Sequence, residues 1–241
     1  SVDVRANAPI DPDWFQGIAT PGWQQRWLDN FVRNASAGPA PTEDLVQDGW
    51  TDLVRRVRER IMTLPADQMT PANMILAFED ADLEKMSEIR ARAEAIVADE
   101  DTAQKLQAWY RQLCKRPCFH DAYLQAFNEP GTHLIDTDGK GIERIDETGF
   151  WVGGKHYEVD CIIYASGFEV GTAHERRAGF DMAGVGGTRL SQAWQDGMRT
   201  LHGLHVHGFP NAFIVQFAQA ANFIINVPHN WVDAADTIAA V

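Results

Sequence analysis

The feature that most restricts the fold is a change in hydrophobic period near Leu113. Before it, apolar residues recur every three or four positions. Trp23, Trp27, Leu28 and Phe31 share a face, Trp50, Leu53, Val54, Val57 and Ile61 form a second stripe, and Leu83, Met86, Ile89, Ala93, Ile96 and Val97 form a third. This spacing predicts amphipathic helices between Pro21 and Tyr110, with the aromatic stripe read as packing. Thr42 with Asp44, then Pro65 and Pro71, divide the run into separate helices. The preceding "SVDVRANAPIDPDW" reads as a scrap of strand followed by a Pro/Asp-rich loop.

After "LCKRPCFHDAY" the apolar runs become short and β-branched. "THLIDT", "GIERIDETG" and "FWVGGKHYEVD" read as strands and hairpins, the last turning at Gly153-Gly154. "DCIIYASGF" is nearly all apolar and ends in small residues, as expected of a buried strand in a mainly parallel sheet that runs into a ligand site. "TRLSQAWQDG" predicts a short helix, "HGLHVHGFPNAFIVQF" two strands either side of Pro210, and "VPHNWVDAADTIAAV" a closing helix with Pro228 in its first turn. A helical part thus precedes an α/β part.

Composition excludes several functions. With 34 acidic against 21 basic side chains, the net charge of −13 repels a nucleic-acid backbone. No apolar run has the roughly 20 residues of a membrane span. Three cysteines, an odd number in a chain of this size, point to a reducing, cytoplasmic setting. Cys114, Cys118 and Cys161 are expected to be buried or half-buried structural residues. The segment "LHGLHVHGFPN" raises the question of a metal, because it places His202, His205 and His207 within six positions. No acid or cysteine is interleaved with them, so the expectation is a strand with no metal bound.

The sharpest local feature is "CKRPC". Lys115 and Arg116 are adjacent cations, and Pro117 biases Arg116 toward an extended backbone on which neighbours point in opposite directions. The two can therefore serve different anions. Small residues at Ala165, Ser166 and Gly167 permit the close approach of a backbone or a cofactor.

In combination these motifs are ordered as in a known family. "KRPCFHDAY", "LIDT", "DCIIYASGFEVGT", "AWQDGMRTLHGLHVHGFPN" and "QAANFIINVPH" follow one another with spacing that resembles the Baeyer-Villiger flavin monooxygenases. The resemblance implies a part of an α/β flavoprotein with two dinucleotide-binding domains. A helical insertion and the end of the NADPH-binding domain would occupy residues 1–112 and 113–160, and the C-terminal part of the FAD-binding domain residues 161–241. Neither Gly-rich GxGxxG turn of such enzymes is present, nor is the family's F-x-G-x-x-x-H fingerprint, nor its late Trp-Gly-Asn loop. The expectation is a C-terminal portion that needs the N-terminal half of the same enzyme and is inactive alone.

The resemblance also implies the chemistry. FAD, NADPH and O2 would convert a ketone to an ester or lactone through a C4a-peroxyflavin. Oxygenation of sulfur or nitrogen by a related enzyme, or a non-catalytic fragment without its own cofactor, are the alternatives. Arg116 matches the arginine that stabilises the peroxide and polarises the ketone, and Lys115 the lysine near the NADPH 2′-phosphate. Asp160, Ser166 and Gly167 match the link between the two domains, with Ser166 in place of the usual Thr. In the flavin-contacting loop the backbone of Gln219, Ala220 and Asn222 would face the flavin, with Phe223 and Asn226 at the ketone. Gln216 to Ala220 replace a glycine-rich sequence there, which limits how the backbone can turn.

Overall fold

A computed structural model of the chain describes residues 2–5, 9–36, 41–167, 172–215 and 227–241. The helical part is present, and it begins earlier than its periodicity suggests. Helix α1, Pro12–Ile18, occupies the segment expected to be a loop: the Asp11 carboxylate accepts the Asp13 N–H at 2.9 Å, and Pro12 stands in the first turn, where its missing N–H costs nothing. Helix α2 is Trp23–Ala35 and helix α3 is Gly49–Met62. Asp48, rather than Thr42 or Asp44, caps α3 by accepting from Trp50 N–H at 2.8 Å. Asp44 closes the preceding turn instead, accepting from the amides of Val46 and Gln47 and from the Thr51 hydroxyl at 2.7 Å.

Helix α4, Pro71–Ile96, starts at Thr70, whose side chain accepts from Asn73 N–H, and at about 1.5 Å per residue it is the longest strut of the molecule. It packs against α3 and against α5, Glu100–Leu106. Its buried face consists of Ala77, Ala81, Met86, Ile89 and Ala93, with two polar residues, Asp82 and Lys85, inside the same stripe. Leu83, expected in that stripe, is 61% exposed. The polar pair occupies its place because each member has a partner underneath.

Lys85 is the more consequential of the two. Its Nζ lies 2.7 Å from an Asp3 carboxylate oxygen and 3.2 Å from one of Asp52, so the first strand, α3 and α4 meet at one buried ammonium. Asp52 is also held by Arg56 Nε at 3.0 Å. The first strand, β1 (Val2–Asp3), pairs in parallel with β2 (Cys118–Phe119), Val2 opposite Cys118 and Asp3 opposite Phe119. Arg92 spans the pair from α4, donating to the carbonyls of Val2 at 2.8 Å and His120 at 3.1 Å. Phe119 packs its ring against Trp50 at 5.5 Å, and a Cβ on Gly49 would overlap that ring.

Strands β3 (Arg144–Asp146), β4 (Gly149–Val152) and β5 (Lys155–Glu158) form an antiparallel meander. The expected turn at Gly153-Gly154 is there, with φ of 59° and 75°, the left-handed pair that matches hairpin twist. Two other expectations fail. Residues 132–137 are not a strand, and neither are residues 161–167, where Ile163 is 85% and Tyr164 72% exposed. A strand exists only with a hydrogen-bonded neighbour. Among the described residues nothing pairs with either segment, and the only parallel pairing is β1 with β2.

The later residues form a second core. Helix α6 is His174–Ala178, and α7, Leu190–Ala193, matches the expected short helix. Leu190, Val206, Phe209 and Ile214 are buried together, with Met182 and Trp194 packed around them. The segment around Pro210 is turn-rich rather than two strands: single bridges join Leu201 to His205 and His205 to Phe213, and His202 adopts φ of 55°. Helix α8, Val227–Ala239, carries Pro228 in its first turn as its sequence predicts.

Burial alone would weaken the Lys85 charge, yet the Asp3 and Asp52 carboxylates outweigh it and raise its pKa. Burial likewise opposes the Asp52 charge, and Arg56 and Lys85 override it and lower the pKa. The stabilisation from Asp52 is therefore complete above the ordinary aspartate range and is lost as pH falls through the lowered value. That from Lys85 is lost only as pH rises through its raised value. Chemical denaturation between about pH 5 and pH 2 should show falling stability, and Asp52→Asn should flatten that slope. Lys85→Met, which strands Asp3, should cost about 3–5 kcal/mol, with much of the loss recovered when Asp3→Asn is added. Gly49→Ala should cost about 1–3 kcal/mol in thermal unfolding, and Phe119→Leu in the same chain should relieve part of it.

Candidate functional site

The Lys115-Arg116 junction is positioned by α4. The Asp82 carboxylate, buried in the helix stripe, accepts the Gln112 N–H at 2.9 Å, and Gln112 opens a single 3-10 turn that ends at Cys114. Arg90, two turns further along α4, donates to the Ala108 carbonyl at 3.1 Å. Lys115 then extends, with φ −136° and ψ 169°, and Pro117 hands the chain to β2. The junction is thus fixed from both sides, by α4 before it and by the pairing with β1 after it.

The cations of this segment have different fates. Arg111 is neutralised by Glu79 at 2.6 Å. Lys115 is exposed and holds its Nζ 4.6 Å from the centre of the Tyr110 ring, an attraction that orients the ammonium without cancelling its charge. The Arg116 guanidinium is exposed and makes no hydrogen bond or ion pair with any described residue. In a chain with thirteen more acids than bases this is informative: carboxylates are abundant, and none of the described ones pairs with Arg116. A planar cation with five free donors is suited to an anion or to an oxygen that develops negative charge.

The other expected site residues lie apart from it. Asp160, Ser166 and Gly167 are exposed, and Gly167 has φ of 90°, which only glycine adopts easily. No hydrogen bond, ion pair or ring contact joins these three to Lys115 or Arg116 among the described residues. Gln219, Ala220, Asn222, Phe223 and Asn226 fall outside the described residues. Tyr110 and Asp82 were not anticipated as parts of the site. The signal for Asp82 was available, since a carboxylate within the apolar face of a long helix requires a buried partner.

Two further expectations bear on chemistry. Cys114, Cys118 and Cys161 are all free and exposed, which corrects their reading as buried residues. Cys114 ends the 3-10 turn, Cys118 lies on the exposed strand β2, and Cys161 lies on a segment with no strand partner among the described residues. Among the described residues, no three His, Cys, Asp or Glu side chains are grouped to hold a metal. His205 packs edge-on against Phe213 at 5.4 Å, as a wall residue does. His156 and Asp146 approach to 3.3 Å, but that carboxylate is committed to the Trp151 indole N–H at 2.7 Å and the Thr148 amide at 3.0 Å, which hold it well below the usual range. The pair braces the hairpin.

No protein-family model matches the chain. Neopentalenolactone D synthase from Streptomyces avermitilis is 47% identical over 231 residues, which is 95% of this chain and 38% of that protein. A Baeyer-Villiger monooxygenase from Stachybotrys chlorohalonatus is 42% identical over 222 residues, 92% of this chain and 35% of that protein. Among solved structures, polycyclic ketone monooxygenase from Thermothelomyces thermophila superposes with a TM-score of 0.81 at 33% identity, covering 98% of this chain and 39% of that one. The chain thus spans somewhat over a third of the length of the relatives it matches. Across that span, in sequence and in fold, it is similar to Baeyer-Villiger monooxygenases.

Proposed function

We propose that this chain is part of an enzyme that uses FAD, NADPH and O2 to insert one oxygen atom into a ketone. Ketone, O2, NADPH and a proton give an ester or lactone, NADP+ and water. The observation that carries the reading is the Arg116 guanidinium, unpaired among the described residues and carried on a backbone held between α4 and β1 in an acidic chain. The donor set fits anionic cofactors: two adjacent cations, one oriented over a ring and one without a described carboxylate. A solved structure that shares this fold is a complex with FAD and NADP. FAD, when bound, transfers electrons from NADPH to O2.

The chain's own residues then divide the work. Arg116 donates to oxygen that becomes negative near the ketone, where a permanent cation in a water-poor pocket is worth most. Lys115, pointing the other way along the extended backbone, faces the 2′-phosphate of NADPH. Gly167 gives the backbone freedom for close approach beside Ser166, and Asp160 begins the same crossing between domains. Gln219, Ala220 and Asn222 supply backbone amides to the flavin, and Phe223 and Asn226 border the ketone. In this reading residues 1–160 serve the NADPH side and 161–241 the FAD side, with the Gly-rich cradles carried by the rest of the enzyme. The three exposed thiols favour work in the cytoplasm. No helix of the described residues is long and apolar enough to cross a membrane.

In the whole enzyme, Arg116→Ala should lower ester formation by about 100-fold or more, and Arg116→Lys should restore little of it, because the lysine has no planar fork. Lys115→Ala should raise KM for NADPH by roughly tenfold with kcat within about twofold. Product analysis of the unmodified enzyme decides the reaction: ester or lactone supports the proposal, and sulfoxide or N-oxide alone refutes it, as does full activity in Arg116→Ala.

A further inference from the structure

An aspartate inside the apolar stripe of α4 is an unfavourable choice unless it has work to do there. Asp82 is 5% exposed, and Gln112, whose amide N–H it accepts at 2.9 Å, is 4% exposed. The contact is therefore an interior one. Lys85, in the same stripe, is neutralised by two carboxylates. Among the described residues no cation pairs with Asp82, so what it contributes is a strong acceptor for one N–H.

That N–H has no other partner. Gln112 opens the 3-10 turn that ends at Cys114, and the first amides of a helical turn find no acceptor within it. Arg111, the residue before, supplies no side-chain cap, and its ion pair with Glu79 joins side chains that are 55% and 40% exposed, a pairing of little strength in water. The Gln112 side chain does not anchor the turn through its oxygen either: Oε1 is buried and accepts from no described residue. Asp82 thus caps, from thirty positions away, a turn that has no cap of its own. Cys114 N–H closes the turn on the Arg111 carbonyl at 3.0 Å, and only Lys115 separates it from Arg116. Beyond Arg116, Pro117 has no N–H, and the Cys118 thiol reaches the Arg116 carbonyl only at 3.6 Å. A shift of the turn is therefore passed directly to Arg116.

We propose that Asp82 is a positioning residue for the oxygenation: through the Gln112 amide it sets where Arg116 stands, and so decides whether electrons from NADPH end in ester or in hydrogen peroxide. The inference deepens the proposed ketone oxygenation and rests on it. With Arg116 at the reacting oxygen, ketone, O2, NADPH and a proton give ester, NADP+ and water. With Arg116 displaced, NADPH, O2 and a proton give NADP+ and hydrogen peroxide. A misplacement of about 1 Å is enough to cost the productive branch about 100-fold.

The test uses the whole enzyme with cyclohexanone and androsterone, reading ester and hydrogen peroxide formed per NADPH consumed, together with amide hydrogen exchange across residues 112–119. Asp82→Leu should lower ester per NADPH by about tenfold or more, with hydrogen peroxide making up the difference and NADPH consumption within about threefold. Its amides across 112–119 should exchange faster. Asp82→Asn keeps an acceptor oxygen and should hold ester per NADPH within about twofold of the unmodified enzyme. Gln112→Leu keeps the backbone N–H and removes the orphaned oxygen, so coupling should be unchanged and Tm the same or higher. Where Asp82→Leu does not fold, Asp82→Leu with Gln112→Pro removes acceptor and donor together and leaves neither unpaired; Arg111 already has the extended backbone, φ −64° and ψ 146°, that a following proline requires. The same loss of ester per NADPH is expected of it. Unchanged ester per NADPH in these Asp82→Leu forms, Asp82→Asn as defective as Asp82→Leu, or lost coupling in Gln112→Leu would overturn the proposal. If the unmodified enzyme makes ester from neither ketone, the ketone reading fails by itself, and exchange across residues 112–119 in Asp82→Leu decides whether this carboxylate places the segment: faster exchange upholds it and unchanged exchange overturns it.

Discussion

A charged amine inside a protein is tolerated only where carboxylates surround it, and Lys85 makes that requirement the organising constraint of this molecule. Its two short contacts reach Asp3 at the start of the chain and Asp52 in α3. Apolar packing between α3 and α4 could be satisfied with several small offsets. A buried ammonium with two ion-pair partners cannot, so it fixes the registry of three elements that the hydrophobic stripe alone would leave adjustable. The β1–β2 pair and the segment bearing Arg116 inherit their positions from this registry.

The same helix that buries Lys85 also buries Asp82, one helical turn earlier. One polar residue holds the strand that follows the junction, through Asp3 and β1, and the other holds the turn that precedes it, through Gln112. Helix α4 thus acts as a ruler with two marks. The segment between the marks carries the cations, with Lys115 on extended backbone. What the scaffold supplies is an arginine whose backbone is placed without its own side chain being used.

Legibility in the sequence follows the range of the forces involved. Helices α2, α3 and α4 and the Gly153-Gly154 hairpin depend on neighbours within a few positions, so their period and turn residues revealed them. Helix α1 was hidden because Asp11 and Pro12, which often mark a loop, here serve as cap and first turn. The segments around Leu134 and Ile163 were expected to be strands from their side chains, but pairing is a property of a distant partner, and none is among the described residues. The cation pair at 115 and 116 was readable because proline fixes its backbone locally. That Arg116 has no carboxylate partner among the described residues was not, since it depends on where distant acids end up in the folded chain. The three thiols differ from expectation for a related reason: cysteine composition reports an average preference for burial, whereas exposure at each position is set by where the fold places its backbone.

The parallel pairing of Val2 with Cys118 joins points separated by nearly half of the chain. Closing such a loop is entropically unfavourable until the helices between its ends have condensed, so this contact has high sequence separation and belongs late in the folding sequence. Arg116 stands immediately before the closure. Two positions separate it from Cys118, so the place of its backbone depends on a contact made with the far end of the helical part.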